Sequence, residues 1–172
     1  MKLMLLGYAR HGKDTVADIL VNDFGLRKED SSQFAGKQIM MPYFASKGIN
    51  YATWDECYAD RVNHRQEWFE QIAAYNTPDE ARLAREIYAV SDIYVGIRRK
   101  EEFQAIKKEG LFDYSIWVDR SEYLDPEALT SNTMTMNMVD YVIDNNGTLD
   151  QLVTRTRNLY WDLISLEHAA GK

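Results

Sequence analysis

The sequence predicts an α/β fold of three layers, a parallel sheet of about five strands between helices, with a helical region inserted midway. Three observations predict it. The chain opens on an apolar run of strand length, Met1 to Leu6, that ends in Gly7. From Leu3 to Leu6 it is apolar at every position, as a strand covered on both faces requires. From residue 92 to the end, strand-like and helix-like segments alternate, the pattern of parallel strands joined by crossover helices.

Residues 2–6 are expected as the central strand. Gly7-Tyr8-Ala9-Arg10-His11-Gly12-Lys13-Asp14-Thr15 follows, and a helical pattern (Val16, Ala17, Ile19, Leu20) runs to residue 24, with Gly25 as its stop. Strand, glycine loop and helix in this order are the context of a phosphate-binding P-loop. The glycines let successive N–H groups turn inward, the helix adds its positive end, and Lys13 supplies a mobile cation. A tight strand-to-helix turn with a chance Gly-Lys pair is the alternative. The usual pattern places Ser or Thr directly after Gly-Lys, where its hydroxyl meets Mg²⁺. Here Asp14 stands there and Thr15 follows. Either Thr15 takes the hydroxyl role, or Asp14 reaches the metal itself or through water. The predicted donor is ATP with Mg²⁺.

Residues 26–30 form a short second strand, and Ser31-Ser32-Gln33-Phe34-Ala35 a polar turn at its end. Ligands bind at the carboxyl ends of strands in open parallel sheets, so Ser32 is a candidate acceptor contact. An ordinary N-cap for a helix starting near Ala35 is the other reading. Residues 35–90 are mostly helical in pattern. A short helix starts at Trp54-Asp55-Glu56-Cys57-Tyr58, and a longer one, about 63–75, carries His64, Trp68, Ile72 and Tyr75 at helical spacing. Thr77-Pro78-Asp79-Glu80 predicts a new helix with Thr77 as N-cap and Pro78 in its first turn, reaching Val90. Arg61 and Arg65 are four residues apart and share a face if one helix holds both, where they can clamp an anionic acceptor. Arg82 and Glu86 suit a surface ion pair, and His64 a structural role.

Asp92 to Ile97 is the next strand, with Arg98 at its carboxyl end and a helix over 99–109 stopped by Gly110. Tyr114 to Val118 is another strand, ending in Asp119-Arg120. Residues 121–139 form a long loop without Arg or Lys, the length of lids and binding loops. Tyr141 to Ile143 is the last strand. Asp144-Asn145-Asn146-Gly147 makes a turn, and Thr148 caps a final helix over 149–166.

At 172 residues and 45% hydrophobic composition, one domain with a substantial core is expected. The formal net charge of −7 argues against broad electrostatic capture of nucleic acid, while leaving room for a local cluster of cations. Cys57 is the single cysteine. No internal disulfide or Cys-rich metal centre is possible, and a reducing cytosol is the simplest home. His11, His64 and His168 lack metal-ligand spacing. The first apolar run is too short for a signal peptide, and no stretch approaches the roughly 20 apolar residues of a membrane span. A cytoplasmic monomer or homodimer with no membrane partner is expected.

Lys13, Arg98 and Arg120 can surround a γ-phosphate. Asp14, Thr15 and Asp119 offer metal contacts, and Arg10 can reach phosphate or acceptor. Gly7-x₄-Gly12-Lys13-Asp14-Thr15-x-Ala17-Asp18 resembles the start of the deoxynucleoside monophosphate kinases of tailed bacteriophages, and of the related phage kinases that act on 5-hydroxymethyluracil in DNA. The Gly-Lys-Asp-Thr variant is shared with that group. The strand ending in Arg98, with Arg99, Lys100 and Glu101 after it, is a second match, although the family often has Asp where Gly96 stands. Asp140 to Leu149 resembles the family's last strand and adenine-side turn, which implies Asn145 and Gly147 as nucleotide contacts beside Gly7, Arg10, His11, Gly12, Lys13, Asp14 and Thr15. The resemblance covers both ends of the chain and is weak from 36 to 90. It implies host cytoplasm if the protein is phage-encoded.

Two acceptors follow from the resemblance. The first is the hydroxymethyl group of 5-hydroxymethyl-2′-deoxyuridine in DNA, phosphorylated as a step toward a hypermodified base. Asp30 is then the candidate base, and Trp54, Tyr58, Trp68 and Tyr75 are candidates to stack an extruded base, with a place in the core as the other reading of each. The second is the 5′-phosphate of a free deoxynucleotide, clamped by Arg61, Arg65 or Arg98. A regulator that binds ATP without transferring phosphate is a third reading, opposed by the three cations available to a γ-phosphate.

Overall fold

The computed structural model describes residues 1–127 and 132–171. Five strands, β1 (Leu3–Leu6), β2 (Lys28–Asp30), β3 (Ile93–Val95), β4 (Tyr114–Asp119) and β5 (Tyr141–Asp144), form one sheet in the order β2-β3-β1-β4-β5. Every pairing is parallel. The helices are α1 (Lys13–Phe24), α2 (Ser31–Ala35), α3 (Met41–Ser46), α4 (Trp54–Asp60), α5 (Arg65–Tyr75), α6 (Arg82–Val90), α7 (Lys100–Lys108) and α8 (Leu149–Ala169), with a π-helical turn at Gly36–Met40.

β1 is central, as its unbroken apolar sequence requires. Side chains alternate along a strand, so β1 feeds two cores. Leu3 and Leu5 join Val16 and Leu20 of α1 and Leu152 and Leu163 of α8. Met4 and Leu6 join Leu83 and Ile87 of α6, Phe103 and Ile106 of α7, and Trp117. These are the three layers. The helical region has a third core of Met40, Phe44, Cys57 and Trp68. Thr148 and Gln151 form a reciprocal capping box at the start of α8, which runs past the predicted end to Ala169. Among the described residues no helix is long and apolar enough to cross a membrane.

Four expectations need correction. Ser31–Ala35 is a helix, not a turn, because the Asp30 carboxylate accepts from the N–H groups of Ser32 and Gln33 and caps it. The helix expected from Pro78 starts at Arg82. The Thr77 hydroxyl donates back to the Ala73 carbonyl and closes α5, while Asn76 Oδ1 accepts from Leu83 N–H and Asp79 Oδ1 from Ala81 N–H. Arg61 and Arg65 share no helix, since α4 ends at Asp60 and α5 begins at Arg65. Trp68 is core, 5% exposed, and Tyr75 is anchored through its hydroxyl to Glu86. Of the predicted 121–139 loop, residues 132–139 hold a short 3₁₀ turn at Met136–Met138, and residues 128–131 lie outside the described residues.

Candidate active site

The carboxyl ends of β1, β2, β3 and β4 lie along one edge of the parallel sheet, and the loop Gly7–Gly12 follows β1 at that edge. A Cβ on Gly7 would come 2.6 Å from the Val118 carbonyl oxygen, and one on Gly12 would land on the Asn145 amide. Only glycine lets this loop lie so close to β4 and the turn after β5. Arg10 adopts φ 64°, the left-handed region, and its side chain is exposed. Lys13 donates from Nζ to the Tyr8 carbonyl at 2.9 Å, so it bends back over the loop. Burial lowers the Lys13 pKa, and Arg98 nearby adds to that. Asp14 is exposed in the first turn of α1, with Thr15 half-buried beside it.

On the β4–β5 flank, His11 is fully buried and its Nδ1 accepts from the Arg120 N–H at 3.0 Å. Asn145 Nδ2 donates to the His11 carbonyl at 2.9 Å. These contacts form one wall of an open crevice of about 390 Å³ lined by Arg10, Gly12, Thr15, Arg120, Asn145, Gly147, Thr148, Leu149 and Leu152. Apolar leucines, a guanidinium and a P-loop edge together suit a nucleotide base and ribose. Arg120 lies on this flank, its guanidinium 3.4 Å from the Asn145 carbonyl, while Arg98 follows β3, on the other side of β1.

On the β2–β3 flank stand Asp30, Ser32, Gly96 and Arg98. Both backbone bonds to Asp30 end on Oδ1. Oδ2 has no hydrogen-bond partner among the described residues and faces Gly96, where a Cβ would sit 3.7 Å away. Burial pushes the Asp30 carboxyl up, and the Asp14 carboxylate adds to it. Gly96, at φ +111°, leaves room that any side chain would take from Ser31 Oγ, 2.7 Å from the Cβ position.

Beside these carboxylates runs a row of side chains from the helical region. Lys37 lies 4.8 Å over the Trp54 ring, Trp54 is 5.4 Å from Tyr58, and the Arg61 guanidinium stacks 3.8 Å over Tyr58. Trp54 and Tyr58 are half-buried, unlike Trp68. Burial raises the Tyr58 hydroxyl pKa, with Asp30 and Asp14 contributing, and Arg61 acts on Asp30, so the row borders the crevice. Arg65 is exposed on α5 and does not join it. His64 is structural, with Nδ1 2.8 Å from Glu67 and Nε2 3.3 Å from Asp60. Arg82 and Glu86 form the expected ion pair at 3.7 Å.

One residue of the crevice carried no sequence signal. Glu127 Oε2 accepts from the Ala9 N–H of the P-loop at 2.8 Å, and Oε1 pairs with Arg98 at 2.8 Å. Nothing in the sequence separates it from Glu122 or Asp125 of the same loop.

Comparison with known families finds no match, and neither does comparison with curated proteins. Solved structures do match. Shikimate kinase from Bacteroides thetaiotaomicron is 9% identical, with 95% of this chain and 98% of that one covered and a TM-score of 0.53. Shikimate kinase from Aquifex aeolicus is 14% identical, with 99% and 98% covered and a TM-score of 0.50. The chain shares the fold of these shikimate kinases, and its own sheet has five parallel strands.

Proposed function

We propose that the protein is an ATP-dependent phosphotransferase whose acceptor is a hydroxyl, the 5-hydroxymethyl group of 5-hydroxymethyl-2′-deoxyuridine in DNA. The observation that carries a hydroxyl acceptor is Asp30. Its Oδ1 is fixed by two backbone donors, while Oδ2, at the end of β2, has no hydrogen-bond partner among the described residues. A phosphate acceptor needs no base; a hydroxyl is served by one. The kinase names of the structural neighbours agree with phosphoryl transfer. The choice of DNA draws on the sequence resemblance and on the row Lys37–Trp54–Tyr58–Arg61. Aromatic faces stack bases of any sequence, and flanking cations meet the backbone phosphates.

Adenosine would lie on the β4–β5 flank, with the phosphates running over the N-terminus of α1. Thr15 and Asp14 present oxygen donors there, which suits Mg²⁺; it keeps several waters and takes few protein ligands. When bound, the ion would neutralise charge building on the β- and γ-oxygens. The acceptor oxygen attacks the γ-phosphorus, the bond to the β–γ bridging oxygen breaks, and ADP leaves with that electron pair. The hydroxyl proton passes to Asp30 Oδ2. Lys13 and Arg98 stabilise the charge on the transferred group, and Arg120 steadies the nucleotide from the base side.

A free deoxynucleoside monophosphate is the second reading. Arg61 favours it, because a guanidinium stacked on an aromatic ring beside Asp30 can also hold one 5′-phosphate over a base. Offering γ-labelled ATP with hydroxymethyluracil-containing DNA in competition with the deoxynucleoside monophosphates tests the choice. Label in DNA is expected; label confined to free nucleotides replaces the first reading with the second.

A further inference from the structure

We propose that Glu127 occupies the subsite of the transferred phosphoryl group, so that nucleoside triphosphate binds only in exchange for this carboxylate. The inference rests on the kinase reading above and adds to it a residue and a competition that the reaction alone does not require.

The geometry has three parts. First, the donors that Glu127 satisfies are those a phosphoryl group would use: a P-loop N–H at 2.8 Å and the Arg98 guanidinium at 2.8 Å. A carboxylate bridging the two presents a pair of anionic oxygens, as a phosphate does. Second, the place is right for the γ-position. The crevice for base and ribose is on the β4–β5 side of β1, and Asp30 is on the β2–β3 side. The group in transit must lie between them, over the first half of the P-loop, where Ala9 is. Third, Lys13 feels both Arg98 and Glu127, which puts the carboxylate in the field of the cation that serves the β- and γ-phosphates.

Glu127 is also built in rather than draped on the surface. Its side chain is 18% exposed, and Asn132 Nδ2 reaches Oε2 at 3.4 Å. Burial alone would push its carboxyl up; Arg98 and the Ala9 N–H outweigh that and hold it below the usual range, so it is ionised at neutral pH. An ionised carboxylate and a γ-phosphate cannot share these donors, because like charges in contact repel. Arg98 and the loop are thereby held near their working positions while the site excludes other anions.

The test compares nucleotides that differ only in the γ-phosphate. Glu127→Gln keeps the size of the side chain and removes its charge. Binding of a non-hydrolysable ATP analogue, with Mg²⁺, is measured by calorimetry beside binding of ADP, in the wild type and in E127Q. We expect the analogue to bind about tenfold more tightly to E127Q, the scale of one charged hydrogen bond, with ADP affinity unchanged. Unchanged analogue affinity overturns the proposal, and so does an equal gain for ADP, which would place the carboxylate on the β-phosphate. A fall in kcat with unaltered affinities would make Glu127 part of the chemistry and likewise overturn it. If neither nucleotide binds the wild type, the kinase reading itself falls, and the proposal with it. Circular dichroism and thermal melting of E127Q report folding separately.

Discussion

The backbone N–H of Arg120 donates to Nδ1 of His11 across 3.0 Å, tying the end of β4 to the P-loop through a fully buried imidazole. Nδ1 must be unprotonated to accept, so the ring is neutral and its proton sits on Nε2. Burial pulls the His11 pKa below 6.5. The unfolded chain therefore takes up this proton first as pH falls, and the stability of the neutral ring, full above 6.5, drains away below it toward the folded-state pKa. His11→Asn keeps an acceptor near the Nδ1 position and does not titrate. Below pH 6.5 the melting temperature of the wild type should drop relative to His11→Asn, by at most about 5 °C per pH unit, the limit for one proton, read by thermal denaturation across pH. A constant difference would show that the ring does not titrate.

On the proposed mechanism Asp30 has two roles, a helix cap through Oδ1 and a base through Oδ2, and one substitution parts them. Asn at this position keeps an Oδ1 for the N–H groups of Ser32 and Gln33, so α2 stays capped. The base is lost. Asp30→Asn should lower kcat by about 10²–10⁴-fold with little change in the KM for ATP, measured by steady-state kinetics. Since burial raises the Asp30 pKa, wild-type kcat should also climb with pH through a value above 3.8.

The stack of Arg61 on Tyr58 should matter to the acceptor and not to ATP. Tyr58→Leu removes the ring that Arg61 covers at 3.8 Å and that Trp54 meets at 5.4 Å. Loss of one base stack costs about 1–3 kcal/mol, so the KM for DNA should rise about 5- to 150-fold. ATP binding, measured by calorimetry, should hold steady.

Glu102 is on the buried face of α7, with its carboxyl 3.2 Å from the Tyr94 hydroxyl. Burial pushes its pKa up to about 7, against the pull of Tyr94 and Arg99. Between 4.5 and about 7 the folded protein keeps a proton that the unfolded chain has released, so stability falls as pH rises through that window. Glu102→Gln removes the titration. The variant should gain about 5 °C on the wild type between the acid and neutral ends of the window, by thermal melting.

Much of this architecture is legible in the sequence because it rests on local pattern. The all-apolar run Leu3–Leu6, the glycines at 7 and 12 and the Thr148 cap each state their geometry within a few residues. The errors arise where local preference meets tertiary contact. Thr77-Pro78 has the chemistry of a helix start, yet the Thr77 hydroxyl bonds backward to Ala73, and Asn76 and Asp79 bridge into α6. Trp68 has the look of a stacking residue and fills a core with Phe44 and Met40. Glu127 lies beyond reach of sequence reasoning, because its bond to Ala9 closes over 118 residues. Lys37, Trp54, Tyr58 and Arg61 are visible as types, while their order as a row against Asp30 depends on packing.

The proposed reaction moves a phosphoryl group from ATP to a hydroxymethyl group on a base in DNA. The most direct measurement is to incubate the protein with γ-labelled ATP, Mg²⁺ and hydroxymethyluracil-containing DNA, digest the DNA to nucleosides and identify the labelled species by mass spectrometry. A phosphomonoester on the 5-hydroxymethyl group is expected, lost in Lys13→Ala and strongly reduced in Asp30→Asn. Unlabelled DNA with label in a free nucleotide, or full labelling by Lys13→Ala, would contradict it.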